Sequence, residues 1–231
     1  MGQTKVTHSP FVLPDPTIAA SSTGGARTLY LVRHASPDWT RHDLPYHIPP
    51  GPPLTEQGQD EARLLRDFLR RAGVRRIASS PLERCLQTAH LVADPQANGH
   101  LEVAIPLDTW PGLMELQPGE PIDSIRSRFC SAFQAAWDIA GHHGPMALVT
   151  HGGPITFLLE EMGMDGARLK QAYEFDHHNP LPPAGTWQIT RAAPNQPWKM
   201  ALVFIPADLT WQSKVIETGS ITPELMDGEK P

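Results

Sequence analysis

Short apolar, β-rich runs alternate along this chain with segments of helical periodicity, and this alternation constrains the fold more than any other feature. The runs predict strands at 28–32, 76–79, 101–105, 146–150, 186–190 and 200–204. Helical spacing and capping signals predict helices at 55–71, 81–93, 122–139 and 154–162. Strands that alternate with helices form a mainly parallel sheet covered on both faces. We therefore expect an α/β fold, a three-layer α/β/α sandwich with a mainly parallel central sheet.

The chain of 231 residues is long enough for one such domain with additions. Residues 1–26 are rich in Thr, Ser, Pro and Gly and have no sustained period, so we interpret them as an extended N-terminal arm before a catalytic domain at 27–231. Apolar residues in this arm could pack on the body or on a second copy in a homodimer. These are Phe11, Val12, Leu13 and Ile18.

The charge and hydropathy of the chain exclude several classes of partner. A net charge of −6 argues against general nucleic-acid binding, which needs a basic surface. No apolar run approaches the length of a membrane span, and the N-terminus lacks the pattern of a secretory signal. We therefore expect a cytoplasmic protein with no membrane partner.

Polar residues follow three of the predicted strands at the point where each strand ends. Arg33 and His34 follow the first, Arg84 lies in the first turn of the helix after the second, and His151 with Gly152 follows 146–150. Ligands of such sheets bind beyond the carboxyl ends of the strands. Guanidinium groups and helix N-termini both bind phosphate, and glycine permits close backbone approach. The sequence therefore predicts a phosphate pocket at this edge.

A histidine in a cationic pocket can act as a nucleophile toward phosphorus. Neighbouring cations favour the neutral imidazole, which is the nucleophilic form. The leaving alkoxide then needs an acid. Glu115 is the best-placed candidate, because it follows the predicted third strand in a loop that could cover the same edge; Asp38 and Glu120 are its rivals from neighbouring loops.

Four segments, in this order, resemble the motifs of the histidine phosphatase superfamily, in its phosphoglycerate mutase-like branch. They are Leu31-Val32-Arg33-His34-Ala35 with Trp39, Leu54-Thr55-Glu56-Gln57-Gly58 with Ala62, the run Ser-Ser-Pro-Leu-Glu-Arg-Cys-Leu-Gln-Thr-Ala at 79–89, and Val149-Thr150-His151-Gly152-Gly153. The likeness spans about residues 28–165.

The resemblance implies a role for each matching residue. His34 would be the phosphohistidine nucleophile, and Arg33, Arg84 and His151 would hold the phosphoryl group of a small phosphorylated substrate. Glu115 would be the acid that later activates water. The resemblance also implies that neither a metal ion nor another cofactor is used. The implied activity is that of a metal-independent phosphomonoester hydrolase.

Two departures from the family pattern bear on this function. Thr40 stands where many relatives have an asparagine that helps to bind the phosphoryl group. The stretch from Glu115 to His151 is short, whereas the mutases carry a much longer helical insertion there. This short stretch favours a phosphatase. The alternatives are a phosphoglycerate-type mutase and a catalytically weak module that binds phosphorylated ligands or proteins.

For the remaining polar residues the sequence predicts less specific roles. The pairs His142-His143 and His177-His178 lack the spacing of a metal site, so we interpret both as loop residues. Tyr46 lies in the loop after His34 and could contact the substrate, as could His42 and His47.

Overall fold

The computed structural model describes residues 27–97, 100, 101, 103–165, 169, 181–193 and 195–206. The N-terminal arm, the pair His177-His178 and residues 207–231 lie outside the described residues. In chain order the elements are β1 (Arg27–Arg33), α1 (Glu56–Arg71), β2 (Arg76–Ser79), α2 (Glu83–Ala93), β3 (Gln96–Ala97), β4 (His100–Leu101), β5 (Leu107–Thr109), a 3-10 turn (Pro111–Leu113), α3 (Ile122–His143), β6 (Met146–Thr150), α4 (Gly152–Glu161), β7 (Thr186–Arg191) and β8 (Lys199–Phe204).

Six of the strands form one central sheet in the order β5-β2-β6-β1-β7-β8. The four strands from β5 to β1 are mutually parallel, and β7 and β8 continue the sheet in antiparallel pairing. Every residue of β6 is buried, as expected for a central strand covered on both faces. The predicted mainly parallel α/β fold is confirmed.

Successive side chains of each strand point to opposite faces of this sheet, and each face has its own core. Leu31 packs into a cluster with residues of α3 and α4, including Phe129 and Leu158. Val32 packs into a second cluster with residues of α1 and α2, including Leu65. Two helices therefore cover each face, and the sheet is the middle layer of three.

The register of the parallel strands sets their carboxyl ends level with one another. Arg33 of β1 pairs with Thr150 of β6, and Ser79 of β2 pairs with Val149. The backbone continues this pairing beyond the strands, since the amide of His34 donates to the carbonyl of Thr150 at 2.9 Å. The residues that follow β1, β2 and β6 are consequently adjacent at one edge.

The predicted strand at 101–105 is wrong, because the sheet strand in this region lies further along the chain. Strands β3 and β4 pair with each other in a separate two-stranded sheet, and β5 pairs with β2 only from Leu107 onward. The backbone contact with β2 begins at the carbonyl of Pro106, which accepts from Ile77 at 2.9 Å. Val103 is 89% exposed, so the apolar run is not a buried strand.

Two helix boundaries also differ from the prediction. The helix predicted to begin at residue 81 begins at Glu83, as α2, after an N-cap residue, Leu82, that makes no side-chain capping bond. Helix α3 continues to His143, so His142 and His143 lie in its last turn and not in a loop. Imidazole groups suit that position because the carboxyl end of a helix favours positive charge. None of the helices described is long and apolar enough to cross a membrane.

Candidate active site

The edge beyond β1, β2 and β6 gathers five buried polar residues. Arg33 and His34 end β1, Ser80 and Arg84 follow β2, and His151 follows β6; each is at most 4% exposed. Burial of this many polar groups is costly unless they are bonded to one another or to a ligand. Their contacts therefore indicate what the site can hold.

His34 is held in one tautomer with its reactive nitrogen toward the pocket. Its Nδ1 lies 2.8 Å from the carbonyl oxygen of Ala35, which can only accept, so Nδ1 carries the proton. The lone pair is then on Nε2. Burial, followed by the charges of Arg84 and Arg33, holds the pKa of His34 well below its usual value of 6.5. The imidazole of His34 is therefore neutral and oriented near neutral pH, which is the form that can attack phosphorus.

His151 has the other tautomer, in which Nε2 donates and Nδ1 accepts. Its Nδ1 lies 3.2 Å from Nη2 of Arg84, which can only donate, and its Nε2 lies 2.9 Å from Oγ of Ser80. Nε2 therefore carries the proton and donates to Ser80. The imidazole rings of His34 and His151 are 5.3 Å apart between centroids. Burial and then the charge of Arg84 lower the pKa of His151 as well.

Arg84 is fully buried at the centre of the pocket. Its Nη1 donates to the carbonyl of Tyr46 at 2.8 Å, and its Nη2 donates to His151. Its buried Nε has no hydrogen-bond partner among the described residues. A buried donor left in this way is stabilised by an anion, so Arg84 is suited to hold a phosphate oxygen. Nearby, Nη1 of Arg33 donates to the carbonyl of Leu181 at 2.6 Å.

Tyr46 covers the mouth of this pocket. Its hydroxyl lies 3.3 Å from Nε2 of His34, and the guanidinium carbon of Arg84 lies 3.8 Å from its ring centroid. The ring also stacks on Trp39 at 4.7 Å. Burial raises the pKa of Tyr46 to about 12, so the phenol stays protonated. The loop after His34 thus reaches the site through Tyr46.

Glu115 lies beside His151 and over the start of α4. Its Oε2 is 3.8 Å from Nδ1 of His151, and its Oε1 accepts from the amide of Leu116 at 3.1 Å. Burial raises the pKa of Glu115 above its usual value of 4.5. A Cβ on Gly153 would lie 3.1 Å from Oε1, so glycine at this position makes room for the carboxyl group.

The two rival acids, Asp38 and Glu120, have lowered pKa values, whereas the pKa of Glu115 is raised. Hydrogen bonds from Thr40 lower the pKa of Asp38, which is half-buried. Hydrogen bonds from Arg128 lower the pKa of Glu120 to about 2. A general acid must carry a proton before it can donate one, so these contacts favour Glu115.

Thr40 and Gly152 differ in how closely the structure brings them to the cluster. Thr40 is exposed, and both its amide and its hydroxyl donate to Asp38, at 2.9 and 2.6 Å. The structure therefore does not place Thr40 among the buried site residues. Gly152 is buried and begins α4 directly after His151. Within the described part of the chain, no group of three or more His, Cys, Asp or Glu residues could hold a metal ion.

Residues at the start of α1 hold the backbone segment that follows His34. The carbonyl of Ser36 accepts from the amide of Thr55 at 3.0 Å, and the amide and hydroxyl of Ser36 both donate to Glu61 at 2.8 Å. A Cβ on Gly58 would overlap the carbonyl of Ser36. Motifs in the sequence do not identify Glu61, although its place one turn after Gly58 in a capped helix is a usable signal.

Comparisons with known proteins bear on the family and the fold of this chain. Residues 29–137 match the family model described as the histidine phosphatase superfamily (branch 1). No curated protein matches the chain significantly.

Solved structures match the fold over most of the chain. A protein of Escherichia coli K-12 described as an alpha-ribazole-5'-P phosphatase has a TM-score of 0.59 and 18% identity, covering 79% of this chain and 98% of its own. Phosphoglycerate mutase from Bacillus anthracis has a TM-score of 0.58 and 16% identity, covering 83% and 97%. The alpha-ribazole phosphatase of Shigella flexneri has a TM-score of 0.51 and 21% identity, covering 70% and 89%. Over residues 29–137 the chain thus matches the model of the histidine phosphatase superfamily, and it shares its fold with these enzymes.

Proposed function

We propose that this protein hydrolyses small phosphomonoesters through a phosphohistidine on His34, without a metal ion. The observation that carries the proposal is the bond between Nδ1 of His34 and the carbonyl of Ala35, which leaves the lone pair of Nε2 facing the cationic pocket. Nε2 would attack phosphorus while the ester P–O bond breaks. The leaving oxygen would take a proton from Glu115, and the alcohol would depart.

The second half of the reaction would restore the enzyme. Glu115, now a carboxylate, would take a proton from water as the water oxygen attacks phosphorus. The P–N bond would break, and phosphate would leave with Nε2 of His34 free again. In both steps the transferred group carries negative charge on its equatorial oxygens, which the fixed charges of Arg33 and Arg84 would stabilise.

The pKa shifts give the proposal a pH dependence. The pKa of His34 is lowered, so the nucleophile would be lost only when the pH falls well below 6.5. The pKa of Glu115 is raised above 4.5, so the protonated acid would be lost as the pH rises through that higher value. We therefore expect a bell-shaped profile of kcat/KM for alkyl esters, with His34 setting the acid limb and Glu115 the alkaline limb.

The test is hydrolysis of p-nitrophenyl phosphate in excess chelator by the wild type and by His34→Ala. His90→Ala is the matched control, because His90 is an exposed residue in the last turn of α2. We expect turnover by the wild type and by the control only, and an alkali-stable, acid-labile phosphoryl group on the wild-type protein. Turnover that survives His34→Ala, or that stops with chelator, would contradict the proposal.

A mutase is the nearest alternative, and one structural observation favours hydrolysis over it. Between Glu115 and β6, a stretch that the structure describes in full, the chain forms a single helix, α3, and no additional helix that would enclose a second phosphorylated position. Incubation with a phosphoglycerate separates the two activities: we expect release of inorganic phosphate. Exchange of the phosphoryl group between two positions without release would support the mutase. Phosphate binding without turnover would support the binding module.

A further inference from the structure

The loop that carries Glu115, here called the acid loop and comprising residues 112–120, is held by one side chain of α3. Arg128 donates to three of the loop's backbone carbonyl oxygens. Nη1 donates to the carbonyls of Gly112 at 3.0 Å and Met114 at 2.7 Å, and Nη2 donates to the carbonyl of Glu115 at 2.9 Å.

The same guanidinium group closes the far end of the acid loop. Nε and Nη2 of Arg128 donate to the two carboxylate oxygens of Glu120 at 2.8 and 2.9 Å. Glu120 in turn accepts from the amide of Gln117 at 3.1 Å. The side chains of Arg128 and Glu120 are 21% and 12% exposed, so this pair is largely shielded from water. A two-bond pair with this geometry fixes direction as well as distance.

The carboxyl group of Glu115 depends on this anchorage for its position. Its bond from the amide of Leu116 is local and would move with the loop. Besides Arg128 of α3, the sheet also holds the start of the acid loop, where the hydroxyl of Thr150 donates to the carbonyl of Leu113 at 2.7 Å. From Met114 onward, the bonds from the rest of the described domain come from Arg128, apart from one at the end of the loop, where the hydroxyl of Ser124 donates to Glu120 at 3.1 Å.

We propose that Arg128 is a positioning residue that sets proton transfer to the leaving group by fixing the acid loop, and with it Glu115, against His151. This inference rests on the proposed function. Arg128 itself contacts loop carbonyls and Glu120, not the reacting atoms. A lysine cannot reproduce the contact, because five bonds in one plane need the guanidinium fork and an ammonium group is a single point.

Leaving-group dependence tests the inference. Kinetics of Arg128→Gln and Arg128→Lys would be measured with an alkyl ester, glycerol 2-phosphate, and with p-nitrophenyl phosphate, which needs little protonation. Arg126→Gln is the matched control, because Arg126 lies two residues away on α3 and pairs with Glu161 at 3.1 Å. A displacement of about 1 Å costs on the order of a hundredfold in rate, so we expect kcat on the alkyl ester to fall about tenfold to a hundredfold. The aryl ester should change by less than about threefold.

A double variant separates positioning from general loss of structure. In the Glu115→Gln background, Arg128→Gln should cause no further loss on the alkyl ester, because the group that it positions is already gone. A further loss equal to that in the wild-type background would overturn the inference. So would equal loss on both esters in the single variant.

Amide hydrogen exchange gives a readout that does not need activity. In the full-length protein, Arg128→Gln and Glu120→Gln should both speed exchange across residues 113–117, and Arg126→Gln should not. Unchanged exchange in both variants would overturn the inference even if the enzyme is active. Failure of the proposed function would instead show as absent or His34-independent turnover in the wild type.

Discussion

Substitution of Gly153 by alanine should separate the stability of this domain from its chemistry. Gly153 is the second residue of α4, and its φ is not in the left-handed region, so alanine fits the backbone. Replacing glycine at such a position stabilises a protein by about 0.4–1 kcal/mol, chiefly by restricting the unfolded chain. In a domain of this size we expect the Tm to rise by about 1–4 °C.

The same methyl group should impair the acid. The added Cβ would lie 3.1 Å from Oε1 of Glu115, whereas ordinary contacts begin at 3.4 Å. The carboxyl group would therefore retreat by roughly 0.3 Å, and if a displacement of about 1 Å costs on the order of a hundredfold, the loss is about fourfold. That loss should be confined to alkyl esters, because aryl esters leave without the acid.

Thermal unfolding and steady-state kinetics on both esters check this prediction. Gly141→Ala is the matched control: Gly141 also lies in a helix, α3, and its added Cβ would meet the side chain of Arg27, not a site residue. The control should leave the ratio of alkyl to aryl turnover unchanged. A lower Tm for Gly153→Ala, or an equal loss on both esters, would refute the reasoning.

Three further predictions concern the acid, the nucleophile loop and the buried histidines. Glu115→Gln should slow an alkyl ester by about 10²–10⁴-fold and p-nitrophenyl phosphate far less; equal losses would place the acid elsewhere. Gly58→Ala should lower the free energy of unfolding in urea by about 1–3 kcal/mol, because its Cβ would overlap the carbonyl of Ser36; a variant as stable as the wild type would contradict this. The pKa values of His34 and His151 are lowered in the folded state, so the unfolded chain binds more protons below pH 6.5. The free energy of unfolding should then fall with decreasing pH by up to about 1.4 kcal/mol per unit for each histidine, and the double variant His34→Asn/His151→Asn should lose that slope.

The layer order and the strand ends could be predicted because both follow from local pattern. Apolar spacing and a capping residue predicted α1, and an apolar run predicted β6. The rule that parallel strands end at one edge of a sheet then predicted that Arg33 and His151 lie close together. The start of α2 could not be predicted in this way. Ser80 has the side chain of a helix cap, but its hydroxyl accepts from His151 instead, and that partner is 71 residues away in sequence.

The same distinction applies within the candidate site. Motifs identified His34 and Arg84, whereas Glu61 and Arg128 entered only through hydrogen bonds to backbone groups brought near by folding. To choose Glu115 over Asp38 and Glu120 as the candidate acid, the burial and the hydrogen-bond partners of each carboxyl group had to be known. Only the structure shows that Arg128 keeps Glu120 ionised, and that Glu115 is buried beside His151.

The place of Tyr46 affects how tightly any phosphate can bind. Its hydroxyl occupies the space 3.3 Å in front of Nε2 of His34, which is where phosphorus must approach for in-line attack. A ligand in line with Nε2 would therefore bind only molecules in which Tyr46 has turned away, and its apparent Kd would be the intrinsic Kd divided by the fraction of such molecules. Each 1.4 kcal/mol by which the contact with Arg84 favours the covered state weakens apparent affinity about tenfold. Changes in the loop at 36–53 can thus tune substrate affinity without altering a residue that touches the phosphate.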